Sequence, residues 1–428
     1  MAVPSPINTR SEVTGDSLFC ISNQYHCSQE ILGSIIALVL CVQLLYCKAM
    51  FILTRPLSRC LTMVLACIAA TSLAAQQLRE IEQGYPGIVV EELVNGLGVP
   101  WGIAFISPHQ LLVTERAGRI LLIDIKKFAS VDLDGAPEVV AEGQGGMLDI
   151  AVGPNYEREG WIYFTYSKRS KGEAATTLAR ARLSQNRLVD WQDLLVTDSA
   201  TDTRKHFGSR IAFDDDGHVY FGVGDRGKRP MAQDLSNHIG SIIRLNLDGS
   251  IPSDNPFLNN TGTRAEVWSF GHRNPQGLAF DVQTSRLWEI EHGPRGGDEI
   301  NLVTKARNYG WPVISHGKEY WGPVAVGEGT SKPGMEQPRK VYIPSIVPGS
   351  LVLYRGKAFP EWRGNLFAGA LKLRHLNRIE LSQSGQVVNE ERLLEDLNER
   401  IRALVTSPEG WIYFSTDSGR ILRILPEQ

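Results

Sequence analysis

The sequence predicts an all-β protein: a six-bladed β-propeller with four-stranded antiparallel blades, preceded by an N-terminal targeting segment. Three observations predict it. One hairpin pattern recurs six times along the chain. No window of residues 80–428 shows a long helical period. The copies are unevenly spaced, which indicates long loops on one face, where functional sites tend to lie.

The repeated unit is an apolar strand, a turn rich in Asp, Gly or Pro, and a second strand rich in aromatic and β-branched residues. Each copy alternates with period two, so each hairpin has one face to bury. A lone hairpin is marginal in water, whereas four-stranded units around an axis bury one another's faces. The copies are 101–124, 147–166, 210–224, 276–291, 350–368 and 401–425. We expect the strand-like segment 88–97 to join the final blade and close the ring.

Residues 50–75 are typical of a secretory signal peptide. Arg55 and Arg59 precede an apolar run, and small residues lead to an expected cleavage near Ala74 or Ala75. Lipoprotein processing at Cys67 is the alternative. We therefore expect residues 80–428 to form an exported, periplasmic propeller catalytic domain.

Residues 1–49 form an upstream extension with a short hydrophobic run at 31–47. The run is near the lower limit for a membrane span. The run is either an N-terminal membrane anchor, or translation starts at Met50 and residues 1–49 result from a wrongly assigned start site. We favour the second interpretation. No membrane contact is expected of the mature domain.

Composition narrows the function classes. The formal net charge of −3 argues against a nucleic-acid-binding protein, which usually has a basic face. All six cysteines lie in the first 67 residues, so the main domain has no disulfide or thiolate metal site.

Two motifs are interpreted as turns. Residues 222–227 match G-x-G-x-x-G, but no amphipathic helix follows them. Residues 214–217 resemble part of a calcium loop but lack its later ligands.

Several segments carry polar residues that a plain propeller does not need. They precede strands or follow them, at positions that converge on one mouth of a propeller's channel. The segments are 142–147, 205–210, 271–277, 291–301, 308–312, 369–372 and 399–402.

Two of these segments, GHRNPQG at 271–277 and HGPRGGDEINLV with NYGWP from 292 to 312, closely resemble the soluble PQQ-dependent aldose sugar dehydrogenases of the glucose/sorbosone dehydrogenase family. The resemblance runs from about Pro100 to the C-terminus. It implies a quinoprotein that oxidises aldose sugars at C1, to the lactone, by hydride transfer to pyrroloquinoline quinone (PQQ) with calcium bound.

The cofactor has three carboxylates, so its cleft needs several cations despite the net acidic chain. Arg273, Lys372, Arg400 and Arg402 are the expected cations. The cofactor-binding residues that the resemblance implies are Gln144, Arg273, Asn274, Tyr320, Ala370, Leu371, Lys372, Arg400, Ile401 and Arg402.

His206 is the candidate general base, because an imidazole titrates near neutral pH. Asp225 either orients that imidazole or only closes the turn 224–227. Arg273 is expected to polarise the quinone carbonyl together with calcium.

Calcium prefers oxygen ligands, including backbone carbonyls. The Gly293–Pro294 turn resembles the family's carbonyl pair that faces the cofactor's calcium. Glu299 and Tyr309 resemble ligands of a calcium in the same loop. The sequence leaves open whether one or two ions bind.

Two other functions remain open: a calcium-dependent propeller lactonase or hydrolase, and a non-catalytic binding propeller. The expected partners are an aldose sugar and an external electron acceptor that the sequence does not identify. The expected oligomeric state is a monomer or a homodimer.

Overall fold

A ring of antiparallel sheets makes up the computed structural model, which describes residues 79–81 and 87–427. The predicted extension (1–49) and signal peptide (50–75) lie outside the described residues. The described part confirms the six-bladed propeller of four-stranded sheets. Among the described residues, no helix is long and apolar enough to cross a bilayer.

The strands run in chain order through the six blades. The described chain begins with β1 (Arg79–Ile81) and β2 (Ile88–Val94). Blade 1 contains β3 (Pro100–Ser107), β4 (Gln110–Glu115), β5 (Ile120–Asp124) and β6 (Ala129–Asp132). Blade 2 contains β7 (Met147–Val152), β8 (Trp161–Ser170), β9 (Glu173–Ser184) and β10 (Arg187–Val196). Blade 3 contains β11 (Ile211–Phe213), β12 (His218–Val223), β13 (Ser241–Asn246) and β14 (Val267–Phe270).

The remaining blades follow the same plan. Blade 4 contains β15 (Pro275–Asp281), β16 (Arg286–Glu291), β17 (Asp298–Val303) and β18 (Lys340–Tyr342). Blade 5 contains β19 (Pro348–Leu353), β20 (Leu366–Ala370), β21 (Leu376–Leu381) and β22 (Val387–Leu393). Blade 6 contains β23 (Ile401–Thr406), β24 (Ile412–Thr416) and β25 (Ile421–Pro426). The helices are α1 (Tyr156–Glu159) and the 3-10 turns Arg229–Gln233, Pro360–Trp362 and Glu395–Leu397.

The two ends of the described chain close the ring. β2 pairs antiparallel with β25, with Val90 opposite Ile424, as expected for segment 88–97. β1 then pairs with β2, so blade 6 has a fifth strand that the repeat pattern did not predict. Closure by both ends buries Val90 and Ile424 in the cluster that joins blades 5 and 6.

The two motifs interpreted as turns are turns in the structure. The Asp214 carboxylate accepts the backbone N–H groups of Asp216 and His218, and Gly217 supplies the left-handed φ of +91° that the β11–β12 hairpin needs. After β12 the chain enters a turn and the short 3-10 turn Arg229–Gln233, so no dinucleotide-binding helix follows 222–227.

A single buried arginine contacts the inner part of every blade. Arg210 precedes β11, and its side chain is enclosed where the first strands of the blades meet. Its partners are the Asp149 carboxylate, the carbonyl oxygens of Gln276, Gly349 and Arg402, and the ring of Trp101. Together with its own blade 3, these partners belong to all six blades.

Candidate active site

The site residues lie in loops that emerge on one face. Gln144, His206 and Arg273 lie in segments joining successive blades, whereas Asp225 and Gly293 follow the second strand of a blade. Because strands alternate in direction, both kinds of loop emerge at the same end of the sheets. The long segment 304–339 between β17 and β18 contributes Trp311 to the same place, where it bonds to Asp225.

His206 and Asp225 form a buried pair. His206 Nδ1 lies 2.6 Å from Asp225 Oδ1, and the His206 backbone N–H donates to Gln144 Oε1 at 2.6 Å. His206 has a φ of +56°, a conformation that non-glycine residues seldom adopt and that is concentrated at functional sites. The local backbone is therefore arranged to present this imidazole.

The Asp225 carboxylate is fully buried and has a donor on each oxygen. Oδ1 also accepts the Gly227 N–H at 2.7 Å, and Oδ2 accepts the indole N–H of Trp311 at 2.8 Å. Burial raises the pKa of Asp225, but the hydrogen bond from His206 and the positive charge of Arg273 outweigh it and hold the pKa below its usual value. Asp225 thus both closes the turn and orients the imidazole.

His206 is held as a neutral imidazole. Burial lowers its pKa below the usual 6.5, and the positive charge of Arg273 lowers it further, against the opposing effect of Asp225. With Nδ1 donating to Asp225, the lone pair is on Nε2, and within the described residues no hydrogen bond uses Nε2. This is the arrangement of a general base with an oriented imidazole.

Arg273 and Asn274 are fixed by the same carboxylate. Glu291 Oε2 accepts the backbone N–H of Arg273 at 2.5 Å and that of Asn274 at 3.1 Å. The Arg273 guanidinium donates to the His292 carbonyl at 2.9 Å and lies 5.2 Å from the centre of the Trp311 ring. Asn274 Oδ1 accepts the Gly208 N–H at 3.2 Å.

His292 is a neutral connector between blades 4 and 5. Burial, with the charges of Arg273 and Arg402, lowers its pKa to about 3. Its Nε2 lies 2.6 Å from the Pro348 carbonyl, and its Nδ1 lies 3.2 Å from Asn274 Nδ2. His292 therefore donates to Pro348 and accepts from Asn274.

A cavity opens beside Arg273. Its lining includes Gly293, Pro294, Glu299, Tyr309 and Trp311. The predicted metal residues are thus brought together with Arg273.

Buried Asp298 shapes the Gly293 turn. Its Oδ1 accepts the Gly293 N–H at 2.9 Å, and its Oδ2 accepts the Val347 N–H at 2.8 Å. Val347 in turn accepts the Leu371 N–H at 2.9 Å. The Gly293–Pro294 turn is therefore connected, through three hydrogen bonds, to the segment after β20 that contains Lys372.

Three carboxylates meet at this cavity: Glu291 and Glu299 line it, and Glu289 lies next to them, and of the three only Glu299 was assigned a role from the sequence. Glu291 lies opposite Glu299, and Glu289 opposite Asn301, on β16 and β17. Burial and the charge of Glu291 raise the pKa of both Glu289 and Glu299 well above its usual value. The period-two patterns E-I-E and E-I-N were the available signal, because they place these side chains on one face of the sheet.

The same group has unused binding capacity. Glu289 Oε1, Asn301 Oδ1 and His272 Nδ1 are buried without a hydrogen-bond partner among the described residues. Single ligand atoms of His272, Glu289 and Glu291 lie within 4.8 Å of one another. Buried carboxylates without partners are costly unless a cation neutralises them.

The second cationic group lies on blades 5 and 6. Arg400 and Arg402 both donate to Asp417, at 2.8 Å each, and Arg400 also donates to the Leu371 carbonyl at 2.8 Å. Burial raises the pKa of Asp417, but the hydrogen bonds and charges of the two arginines lower it below its usual value. Asp417, in the turn after β24, was also missed, since nothing in that turn marks it as a partner of Arg402.

Lys372, Ala370 and Ile401 complete this group. The Lys372 side chain is exposed, and its ammonium has no ion pair or hydrogen bond with another described residue. The side chains of Ala370 and Ile401 are buried in the core, so only their backbone groups can face a ligand.

Tyr320 lies farther out than the other residues. It is 64% exposed, and its ring makes no hydrogen bond or ring stacking with another described residue. It follows Glu319, which accepts from Arg229 at 2.5 and 2.9 Å, and the Arg229 guanidinium lies 5.3 Å from the Trp311 ring. Tyr320 thus belongs to the segment that borders the wall of the cavity.

Fold and site together define a class: a six-bladed propeller enzyme with a histidine–carboxylate pair and clustered cations at one mouth. The chain belongs to the Glucose / Sorbosone dehydrogenase family, whose sequence model matches residues 97–423. This membership makes it an oxidoreductase of the sugar dehydrogenase type.

Three relatives show the range of similarity. Aldose sugar dehydrogenase YliI of Escherichia coli is 40% identical over 347 residues, 79% of this chain and 92% of its own. Quinoprotein glucose dehydrogenase B of Acinetobacter calcoaceticus is 27% identical over 409 residues, 76% of this chain and 84% of its own. The solved PQQ-bound form of an aldose sugar dehydrogenase from Streptomyces coelicolor has a TM-score of 0.67 at 26% identity, covering 82% of this chain and 98% of its own.

Proposed function

We propose that this protein is a PQQ-dependent dehydrogenase that oxidises aldose sugars at C1 to the lactone, with His206 as general base. One observation carries the proposal. His206 is bonded through Nδ1 to a buried, ionised Asp225, with Nε2 unused, and Asp225 in turn bonds to Trp311, which lines the cavity together with Arg273. The quinoprotein relative and the PQQ-bound relative support the choice of cofactor.

The charges of the site fit a tricarboxylate quinone. Arg273, Lys372, Arg400 and Arg402 supply four positive charges, and Asp417 neutralises part of them. Lys372 is the cation without a protein partner in the described part, so it is free to pair with a cofactor carboxylate. Gln144, Asn274, Tyr320 and the 370–372 backbone would contribute the remaining polar and ring contacts.

The donor set also fits calcium. The carbonyls of Gly293 and Pro294 would hold an ion beside the cofactor, and Glu299 and Tyr309 would hold one in the adjoining loop. The buried oxygens of Glu289 and Asn301 without partners show that this region has more acceptors than its own hydrogen bonds use. Hard oxygen ligands of this kind select calcium, which would supply positive charge at the quinone carbonyl.

The side chains of this chain then have defined tasks. His206 Nε2 takes the proton of the C1 hydroxyl, and Asp225 stabilises the imidazolium that results. Arg273 presents positive charge where negative charge develops, fixed in place by Glu291 and by the His292 carbonyl. PQQ, when bound, supplies the acceptor for the C1 hydride.

Reconstitution tests this proposal. Purified protein with PQQ and calcium should reduce an artificial dye when given an aldose. His206→Asn should still bind PQQ but lose turnover by about 100-fold or more, the usual contribution of a general base. The exposed His109→Asn is the matched control and should keep full activity. Calcium-dependent lactone hydrolysis without PQQ would favour the lactonase, and PQQ binding without turnover on any aldose would favour the binding propeller.

We also propose that the protein acts after export, in the periplasm. The signal-like segment 50–75 supports this location. N-terminal sequencing of the protein from a Gram-negative periplasm should read a start next to Ala74 or Ala75. Recovery of the uncleaved chain from the cytoplasm alone would contradict it.

A further inference from the structure

Trp311 connects the two halves of the catalytic apparatus. Its indole N–H donates to Asp225 Oδ2 at 2.8 Å, and its ring centre lies 5.2 Å from the Arg273 guanidinium carbon. The residue is 4% exposed, and its backbone is fixed by a hydrogen bond from its N–H to the Gly271 carbonyl at 2.8 Å. The indole is thus a rigid group between base and cation.

The indole completes the hydrogen bonding of the Asp225 carboxylate. Oδ1 accepts from His206 and from the Gly227 N–H, while Oδ2 has only the Trp311 donor among the residues that the structure describes. If that donor is removed, a fully buried, charged oxygen has no partner, and the carboxylate can rotate. A rotated carboxylate no longer selects the imidazole tautomer with its proton on Nδ1.

Several other charges face this pair. Arg273 and Lys205 act on His206, whereas Arg226 and Arg229 act on Asp225. His292 lies near His206 and is neutral. None of these groups replaces a neutral donor on Oδ2, because in the described chain that oxygen has a single hydrogen bond, from Trp311.

We propose that Trp311 is a positioning residue of the oxidation: its indole N–H holds the Asp225 carboxylate so that His206 keeps its proton on Nδ1 and presents Nε2 to the sugar. The inference rests on the proposed function of His206 as base. It adds a group outside the predicted catalytic set and assigns that group a single donated hydrogen bond.

Trp311→Phe tests the proposal, because it keeps an aromatic ring beside Arg273 and removes only the donor. Nitrogen-15 NMR of labelled apo-protein should show His206 changing from one tautomer to a mixture, because a carboxylate that can rotate no longer holds the proton on Nδ1. In the loaded enzyme, kcat should fall about 10- to 100-fold, the effect expected from a lost hydrogen bond to a charge, while KM and PQQ affinity change less than threefold.

Trp268→Phe is the matched control. Its ring also lies beside an arginine, Arg244 at 4.6 Å, but on β14, the edge strand of blade 3, without a hydrogen bond to His206 or Asp225, so tautomer and kcat should not change. Trp311→Phe with an unchanged tautomer, or with kcat within twofold of the wild type, overturns the proposal. A parallel loss of PQQ affinity and kcat with an unchanged tautomer also overturns it, since that pattern describes a merely structural residue.

A second measurement tests the proposal without Trp311→Phe, for the case in which that variant does not fold. In the wild-type protein, the indole proton of Trp311 should resonate far downfield. In the Asp225→Asn variant, the same proton should move upfield. If the chemical shift of the Trp311 indole proton is the same in Asp225→Asn as in the wild type, the proposal is overturned. Because these spectra need no PQQ, failure of the proposed enzymatic function is seen separately, as wild-type protein that never turns over.

Discussion

Arg210 Nη1 lies 2.7 Å from Asp149 Oδ1, and this buried ion pair joins blades 2 and 3. The same guanidinium bonds to carbonyl oxygens of blades 4, 5 and 6. One of those carbonyls belongs to Arg402, a predicted cofactor residue. The centre of the ring and the floor of the site therefore depend on one side chain.

Arg210→Met should destabilise the fold strongly. Removing one partner of a buried ion pair leaves an uncompensated charge and typically costs about 3–5 kcal/mol. Here Asp149 becomes that charge, and three carbonyls lose their donor. Differential scanning calorimetry of the apo-protein should show a clearly lower melting temperature, whereas the exposed Arg169→Met should melt like the wild type. Equal melting of Arg210→Met and wild type would contradict the role of Arg210.

The decline of kcat/KM at acid pH should occur below the usual histidine pKa of about 6.5. The folded pKa of His206 is lowered, so the neutral base is fully present above the unfolded value of about 6.5 and is lost only as the pH falls through the lower folded value. We therefore expect kcat/KM to be flat around pH 7 and to decline below 6.5. A limb centred above pH 7, measured at saturating PQQ and calcium, would be inconsistent with the burial of His206.

Lys372→Met should weaken PQQ binding without destabilising the apo-protein. Its ammonium has no partner among the described residues, so its loss costs the fold little but removes a charge from the cofactor site. A charge-assisted hydrogen bond contributes about 1.5–3 kcal/mol, so affinity should fall roughly 10- to 100-fold, and the salt dependence of binding should become shallower. Titration of PQQ at two salt concentrations measures this, with the exposed Lys357→Met as control. Unchanged affinity would remove Lys372 from the site.

Calcium should stabilise the apo-protein. A ligand bound only by the folded state stabilises it by about 2.7 kcal/mol at 100 times its Kd. Calcium should therefore raise the melting temperature, magnesium should raise it less, and a chelator should reverse the effect. Glu299→Gln should lose much of the response, and the exposed Glu328→Gln should keep it. If calcium does not change the melting temperature of the wild-type protein, the metal assignment is contradicted.

The fold was predictable because its signals are local. Each hairpin appears as alternating residues around one turn, and all six predicted copies became the first strands of blades. The addition of segment 88–97 to the final blade was predicted only because the propeller has to close. Strand β1 was not predicted, since three residues added to an edge carry no alternation of their own.

Much of the site was not predictable, because its contacts join residues far apart in sequence. His206 and Asp225 were found as motif residues, whereas the Asp225–Trp311 bond spans 86 positions and the Arg210–Gly349 bond 139. Glu289 and Asp417 lie in ordinary strand and turn patterns. Only the packed blades show that Glu289 lies near a second buried carboxylate and that Asp417 bonds to two arginines.

A stopped-flow absorption measurement on PQQ-loaded protein mixed with an aldose, with no electron acceptor present, tests the role of His206 in the oxidation. Wild-type protein should lose the absorption of the oxidised quinone within a single turnover, and His206→Asn, with PQQ equally bound, should retain it on the same timescale. A spectrum unchanged by every aldose of a broad panel, or equally fast loss in His206→Asn, would contradict that role.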